Sequence, residues 1–348
     1  MKHRRCCRLG WLVVFVLAIR AQAADLLIVL NKSDDTASIL DAKTGAVRGT
    51  VSVGHAPHEA EVLTDLRIVA VSNYGTRESA GHTLSLIDPE KALPIGVIEL
   101  GDGARPHGMR SLPNGQLIVT AEGKKELLIV DPKERRVVSR IATGQDGSHM
   151  VVRSPDGKRA FVTNIGSGSV TAVDLVSKSA IKNIPTGQGS EGIDVTPDGK
   201  EIWVTNRAED TISIVDSSSL AISSKVKASK FPIRVKITPD GKRALVSCAQ
   251  SGDVVVLDVA QRKELKRIPI GQEAVSGSEN RLLSGLGKSP APVGILIAPD
   301  GKRAWVASTN ADVVSEINLE SLSWVRRLVA GKEPDGLAGI FDAGQRRL

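Results

Sequence analysis

Ser154-Pro155-Asp156-Gly157-Lys158-Arg159-Ala160-Phe161-Val162-Thr163-Asn164 returns 42 residues later as Thr196-Pro197-Asp198-Gly199-Lys200-Glu201-Ile202-Trp203-Val204-Thr205-Asn206. The turn recurs a further 42 residues on as Thr238-Pro239-Asp240-Gly241-Lys242, and once more as Pro299-Asp300-Gly301-Lys302. A fixed period between about 20 and 50 residues marks a solenoid, a propeller or an array. A second marker counts the copies, because the position of Asn164 is followed ten residues later by an acid or amide that ends a strand. Asn31 with Asp41, Ala121 with Asp131, Asn206 with Asp216, Cys248 with Asp258 and Ser308 with Asn318 keep that spacing, and Asn73 with Asp88 is five residues longer. Seven copies result.

One copy divides into short alternating segments separated by turn residues. Val151–Arg153 leads into the Pro-Asp-Gly turn, followed by Arg159–Asn164, Ser169–Asp174 and Ala180–Pro185. Asp-Gly suits a tight hairpin that needs a positive φ, and Gly166-Ser167-Gly168 serves the next turn. Four strands in about 42 residues, with no helical period, predict the blade of a β-propeller. The fold class is therefore all-β, a seven-bladed β-propeller of four-stranded blades. The repeats begin out of phase with the chain: Leu26 opens on a second strand and Asp335–Ile340 reads as a first strand. The C-terminal strand is thus expected to close the first blade and cover both exposed edges.

Phe161–Asn164, Trp203–Asn206 and the Pro-Asp-Gly-Lys turns resemble the YVTN family of β-propeller repeat proteins, over roughly residues 26 to 340. The resemblance implies the fold and carries almost no chemistry.

The 348 residues are 41% hydrophobic and 24% charged with 33 glycines, which excludes a disordered or collagen-like chain. Lys2, Arg4, Arg5 and Arg8, the apolar run Leu9–Ile19 and Ala21-Gln22-Ala23 read as a secretory signal peptide over residues 1–23, leaving one propeller domain over 24–348. The alternative is an uncleaved anchor, which the early Arg20 disfavours. Cleavage takes the basic count from 46 to 41 against 39 acids, so the mature net charge is +2 rather than +7. Periplasmic or secreted location, no membrane span after cleavage and no strong nucleic-acid binding are the corresponding expectations. Cys6 and Cys7 leave with the signal, and Cys248 is expected to be a buried structural thiol.

The inner strands should carry the chemistry. Their entry positions are His58, His107, His149, Glu191, Ile233 and Val293, with Asp335 in the closing blade. After cleavage five histidines remain, and three of them occupy this one position on consecutive blades. One interpretation is a ligand or divalent transition-metal site at the upper channel mouth, with His58, His107, His149 and Glu191 as metal ligands and Arg234 and Asp335 as further ligand-binding residues. The other is a set of polar residues wetting the rim. Glu59, Arg105 and Arg207 fall near the same rim. Two insertions, within Tyr74–His82 and from Gln272 to Ala291, lie on that face, the second expected to shield the site.

Gly187-Gln188-Gly189-Ser190-Glu191-Gly192 fits a dinucleotide fingerprint by letter, but a strand follows it where that fingerprint requires a helix. No Gly-x-Ser-x-Gly, His-Glu-x-x-His or Walker sequence occurs. Three functions stay open: an exported binding protein for a metal or small ligand, a propeller enzyme of lactonase-like or metal-dependent redox type at the same mouth, and a protein-interaction scaffold using the upper face. The basic hairpin tips on the opposite face, such as Lys158 and Lys242, read as solvated charges.

Overall fold

The computed structural model describes residues 25–271, 281 and 283–341. Residues 1–24, which contain the expected signal peptide, and residues 272–280 and 282 of the second insertion lie outside the described residues. Seven four-stranded antiparallel sheets form the ring, and six of them are built from consecutive strands. The remaining sheet places Pro334–Ile340 beside Leu26–Asn31, followed by Thr36–Asp41 and Val47–Ser52. Leu26 pairs with Ile340 and Asn31 with Pro334, so the C-terminal strand closes blade 1 as the phase of the repeats predicts. We number the blades 1 to 7 from this one. Beyond the strands, the described residues contain only short 3-10 turns.

The repeat letters have separate mechanical roles. Gly157, Gly199, Gly241 and Gly301 all have φ between +68° and +74°, the left-handed region that costs glycine nothing. The turn is longer than a two-residue hairpin: Ser154 N–H bonds to Arg159 O, enclosing four residues, and Asp156 accepts from the Ser154 hydroxyl and the Lys158 N–H. The acids that end third strands cap the following turn, as Asp41 does by accepting from the N–H groups of Lys43 and Thr44. Phe161, Trp203 and Trp305, at the aromatic position of the motif, are the largest fully buried side chains. Trp203 of blade 5 packs against Val235 and Val246 of blade 6, so the aromatic joins neighbouring blades. Asn164 donates to Ser169 and Thr171 on the next strand, and Asn31, Asn73 and Asn206 repeat this fork.

Each inner strand contains a pairing irregularity near its start, and the entry residue always falls within it. A bulge leaves a backbone N–H without a ladder partner and re-aims the adjacent side chain. The motif threonine satisfies that group: Thr163 accepts from Met150 N–H at 3.0 Å and donates to Glu191 O of the next blade at 2.7 Å. The position after each entry residue reads Gly336, Glu59, Gly108, Met150, Gly192, Arg234 and Gly294 in blades 1 to 7. A Cβ on Gly192 would lie 2.6 Å from Arg234 Cα, and one on Gly294 would lie 2.0 Å from Asp335 O. Small residues here let adjacent inner strands approach, and Gly294 and Gly336 are neighbours.

Candidate functional site

The bulges bring the entry residues together at the upper end of the channel. His58 and His107 have ring centroids 4.8 Å apart, and His107 and His149 are 3.6 Å apart. Tyr74, from the blade 2 insertion, completes the cluster at 4.7 Å from His58 and 5.5 Å from His107. That insertion extends the second and third strands to Gly75 and from Ala80, and Tyr74 sits at the irregularity between them. His58, His107, His149, Glu191, Arg234 and Asp335 are only 3% to 8% exposed. They form a closed polar layer across the channel rather than a wetted rim.

Carboxylates organise the layer. Asp335 Oδ2 lies 3.0 Å from His58 Nδ1, within ion-pair distance but off the line of a hydrogen bond. His149 Nδ1 contacts Glu122 Oε2 at 2.9 Å, and its Nε2 faces Glu191 Oε1 at 3.6 Å. Glu122 also accepts from the Tyr74 hydroxyl at 3.1 Å. Glu191 receives Arg207 at 2.7 Å and Arg234 at 3.2 Å. Arg234 reaches across the ring from blade 6 to Glu59 of blade 2 at 2.8 Å, a strut beneath the histidines. Its guanidinium is held between two carboxylates rather than extended toward the upper mouth.

This arrangement splits the three imidazoles electrostatically. Burial, reinforced by His149 and His58, pushes His107 well below its ordinary value. Burial and Lys32 lower His58, with Asp335 opposing. Burial also acts to lower His149, but Glu122 and Glu191 outweigh it and the net shift is upward. Glu191 falls to about 2 because Arg207, His149 and Arg234 overcome its burial. Asp335 also falls to about 2, with His58, Lys32 and Arg234 opposing burial. The layer therefore favours neutral His58 and His107, makes His149 the most readily protonated of the three imidazoles, and keeps Glu191 and Asp335 ionised at neutral pH. His58 Nδ1, His107 Nδ1 and Asp335 Oδ1 are buried without a hydrogen-bond partner. Among the described residues no three His, Cys, Asp or Glu side chains are arranged to hold a metal ion.

Lys32, Tyr74, Glu122 and Arg207 share a repeat position, each directly following the residue equivalent to Asn164. Of these, sequence analysis set only Arg207 near the rim by name, and included Tyr74 merely as part of an insertion. Reading the repeat one residue past its asparagine would have found the set. Arg105 lies over the Tyr74 ring, 5.2 Å from its centroid. On the other side of the channel the entry positions are apolar. Ile233 and Val293 pack with Ala249 and Ala291, while Leu283 and Leu286 of the long insertion close over them. The described part of that insertion is tied to blade 7 by Arg281, which bonds to Asp312 and Thr309 O. The upper layer is thus polar on blades 1 to 5 and apolar on blades 6 and 7.

Solved structures agree with this architecture. Hydrazine synthase from Kuenenia stuttgartiensis is 18% identical with a TM-score of 0.67, over 80% of this chain and 88% of that one. A functionally unknown protein from Desulfotomaculum acetoxidans DSM 771 is 14% identical with a TM-score of 0.74, over 90% and 98%. Dihydro-heme d1 dehydrogenase NirN in complex with DHE is 14% identical with a TM-score of 0.66, over 94% and 77%. At these identities the likeness is one of fold. No curated protein matches the chain. The family comparison matches residues 13–183 and 156–279, and with the seven blades and their repeated motif this chain belongs to the YNCE-like beta-propeller family.

Proposed function

We propose that this chain is an exported propeller, of the YVTN repeat type suggested by Phe161–Asn164 and Trp203–Asn206, that binds a small polar ligand at the histidine layer. One observation carries the reading: His58 Nδ1, His107 Nδ1 and Asp335 Oδ1, on three adjacent blades, are buried together without hydrogen-bond partners. Each such atom costs about 1–3 kcal/mol, and a ligand that meets all three recovers that cost. A neutral imidazole offers one N–H and one lone pair, so the ligand would present N–H or O–H donors to Asp335 Oδ1 and to whichever ring nitrogens carry no hydrogen. The close stacking of His107 on His149 directs it to the ring edges.

A divalent transition metal is the second reading: His58, His107 and Asp335 are suitable donor types, but their side chains would have to turn to share one ion, as no three such groups stand in a ligating arrangement among the described residues. Arg207 and Arg234 already neutralise Glu191, which makes it the weakest of the expected ligands. The upper surface, where Leu283 and Leu286 lie over blades 6 and 7, is also the face on which a protein partner would meet the ligand. Periplasmic or secreted location follows from the proposed signal, and the mature charge of +2 opposes strong duplex binding.

Native mass spectrometry and metal analysis of the untagged chain, purified from its own host, test the reading. A bound small molecule or stoichiometric metal is expected, and His107→Ala should lose it while keeping the circular dichroism spectrum. Wild-type and H107A chains that both carry no added mass, and whose melting is unmoved by zinc, copper, nickel or manganese, would overturn it.

A further inference from the structure

Beneath the strut formed by Arg234 and Glu59, the channel opens into a cavity of about 300 Å³. Its two sides differ. Blades 2, 3 and 6 contribute Glu61, Arg110 and Lys236, whereas blades 7 and 1 contribute Ile295, Leu296, Leu337 and Ala338. Glu59 is paired with Arg234 at 2.8 Å. Glu61 accepts from both the N–H and the hydroxyl of Ser111 at 2.8 Å and lies 3.6 Å from Arg110. Both lining carboxylates are therefore committed. Among the described residues, no ion pair or side-chain hydrogen bond involves the Lys236 ammonium. Burial and the neighbouring Arg110 lower its pKa against the opposing fields of Asp194, Glu59 and Glu61, none of which reaches ion-pair distance of the ammonium.

We propose that this cavity is a second binding site, separate from the histidine layer, for a small amphiphilic carboxylate. The carboxylate would pair with Lys236, with its apolar part against Ile295, Leu296 and Leu337. The volume is at the lower end of small-molecule sites, about 300 to 1,000 Å³, and suits a ligand of short chain. A second hollow of about 290 Å³ shares Glu61, Arg110 and Ser111 with the cavity and is bordered by Pro155 and Pro197 of the hairpin turns. Access is therefore from the lower face, opposite the histidines. A charged hydrogen bond in a largely buried setting gives roughly tenfold or greater preference over an uncharged analogue.

Calorimetric titration of the full chain with sodium hexanoate, hexanol and hexylammonium tests the site. Hexanoate should bind with one-to-one stoichiometry, and the other two at least about tenfold more weakly. Lys236→Met should remove the preference for carboxylate over alcohol, while Lys236→Arg keeps it. His107→Ala should leave hexanoate binding unchanged, which separates this site from the one proposed above. Hexanoate that fails to bind the wild-type chain at roughly 10 mM, or binds no better than hexanol, overturns the proposal without reference to any variant. So does hexanoate binding that disappears in H107A, or a carboxylate preference that survives in K236M.

Discussion

Thr120 and His149 belong to different blades, yet the Thr120 hydroxyl donates to the His149 carbonyl at 2.6 Å. The same hydroxyl accepts the N–H of Gly108 at 2.9 Å within its own blade. Thr163 makes the equivalent pair of bonds to Met150 and Glu191, and Ser247 donates to Val293 O at 2.7 Å. A residue that looks like repeat scaffolding therefore holds the backbone of the next blade's entry residue.

Thr120→Val keeps the shape and removes both bonds. It should destabilise the protein by about 1–3 kcal/mol, since Gly108 N–H and His149 O lose a buried partner. Chemical denaturation measures the loss, and the nuclear magnetic resonance shifts of the His149 ring should move as well. A variant as stable as wild type would show that this hydroxyl does not pin the blades.

Stability should peak near pH 6.5. His58 and His107 are lowered in the folded state, so the unfolded chain binds their protons first as pH drops below the ordinary 6.5. Stability then falls by about 1.4 kcal/mol per pH unit for each histidine until its folded value is reached. His149 is raised, so its contribution is complete below 6.5 and is lost as pH rises through its folded value. Melting temperatures from pH 5 to 8 should trace both limbs. His107→Gln should flatten the acid limb and His149→Gln the alkaline one, whereas a flat profile in wild type would contradict the assignment. Glu191 and Asp335, both depressed to about 2, add stability that is lost only as pH falls below about 4.5.

Most of the architecture was legible because the repeat states it seven times. The strands Arg159–Asn164 and Ser169–Asp174 match the sequence boundaries, and the position of Leu26 within its repeat anticipated the strand Pro334–Ile340. The shared location of His58, His107 and His149 was legible for the same reason, as equivalent positions stand at one height around the axis. Their partners were harder to see. Glu122 reaches His149 from the preceding blade, and Arg234 meets Glu59 across the channel. Glu122 occupies a recurring repeat position, but which blade it reaches, and the pairing of Arg234 with Glu59, depend on the ring diameter, which leaves no periodic trace in the sequence. Lys236 was missed because an isolated lysine in a strand is not unusual until its surroundings are known.

Removal of residues 334–348 deletes the inner strand of blade 1 and uncovers Leu26–Asn31. The melting temperature should fall by at least about 10 °C and aggregation should increase, because an apolar edge strand becomes available for pairing. An unchanged transition would mean that the other six blades hold the ring without this strand.

Cys248 is fully buried, and burial together with Asp253 pushes its thiol up. In a chain lacking residues 1–23, and so Cys6 and Cys7, it should not react with an aromatic disulfide reagent at pH 8 until denaturant is added, then release one equivalent of thiolate. Rapid reaction in the native protein would show that the strand Arg243–Cys248 opens locally.

The order of large and small residues beside the entry positions has a consequence of parity. Glu59, Met150 and Arg234 alternate with glycines around the ring, but an odd number of blades cannot alternate without one mismatch. It falls between Gly294 and Gly336, at the junction of the last blade with the closing strand. A ring of six or eight blades could follow the same rule with no such mismatch. The arithmetic of closure thus sets two glycines on adjacent inner strands where the last blade meets the closing one, and neither position has room for a side chain, since a Cβ on Gly294 would meet Asp335 O and one on Gly336 would meet His58 O.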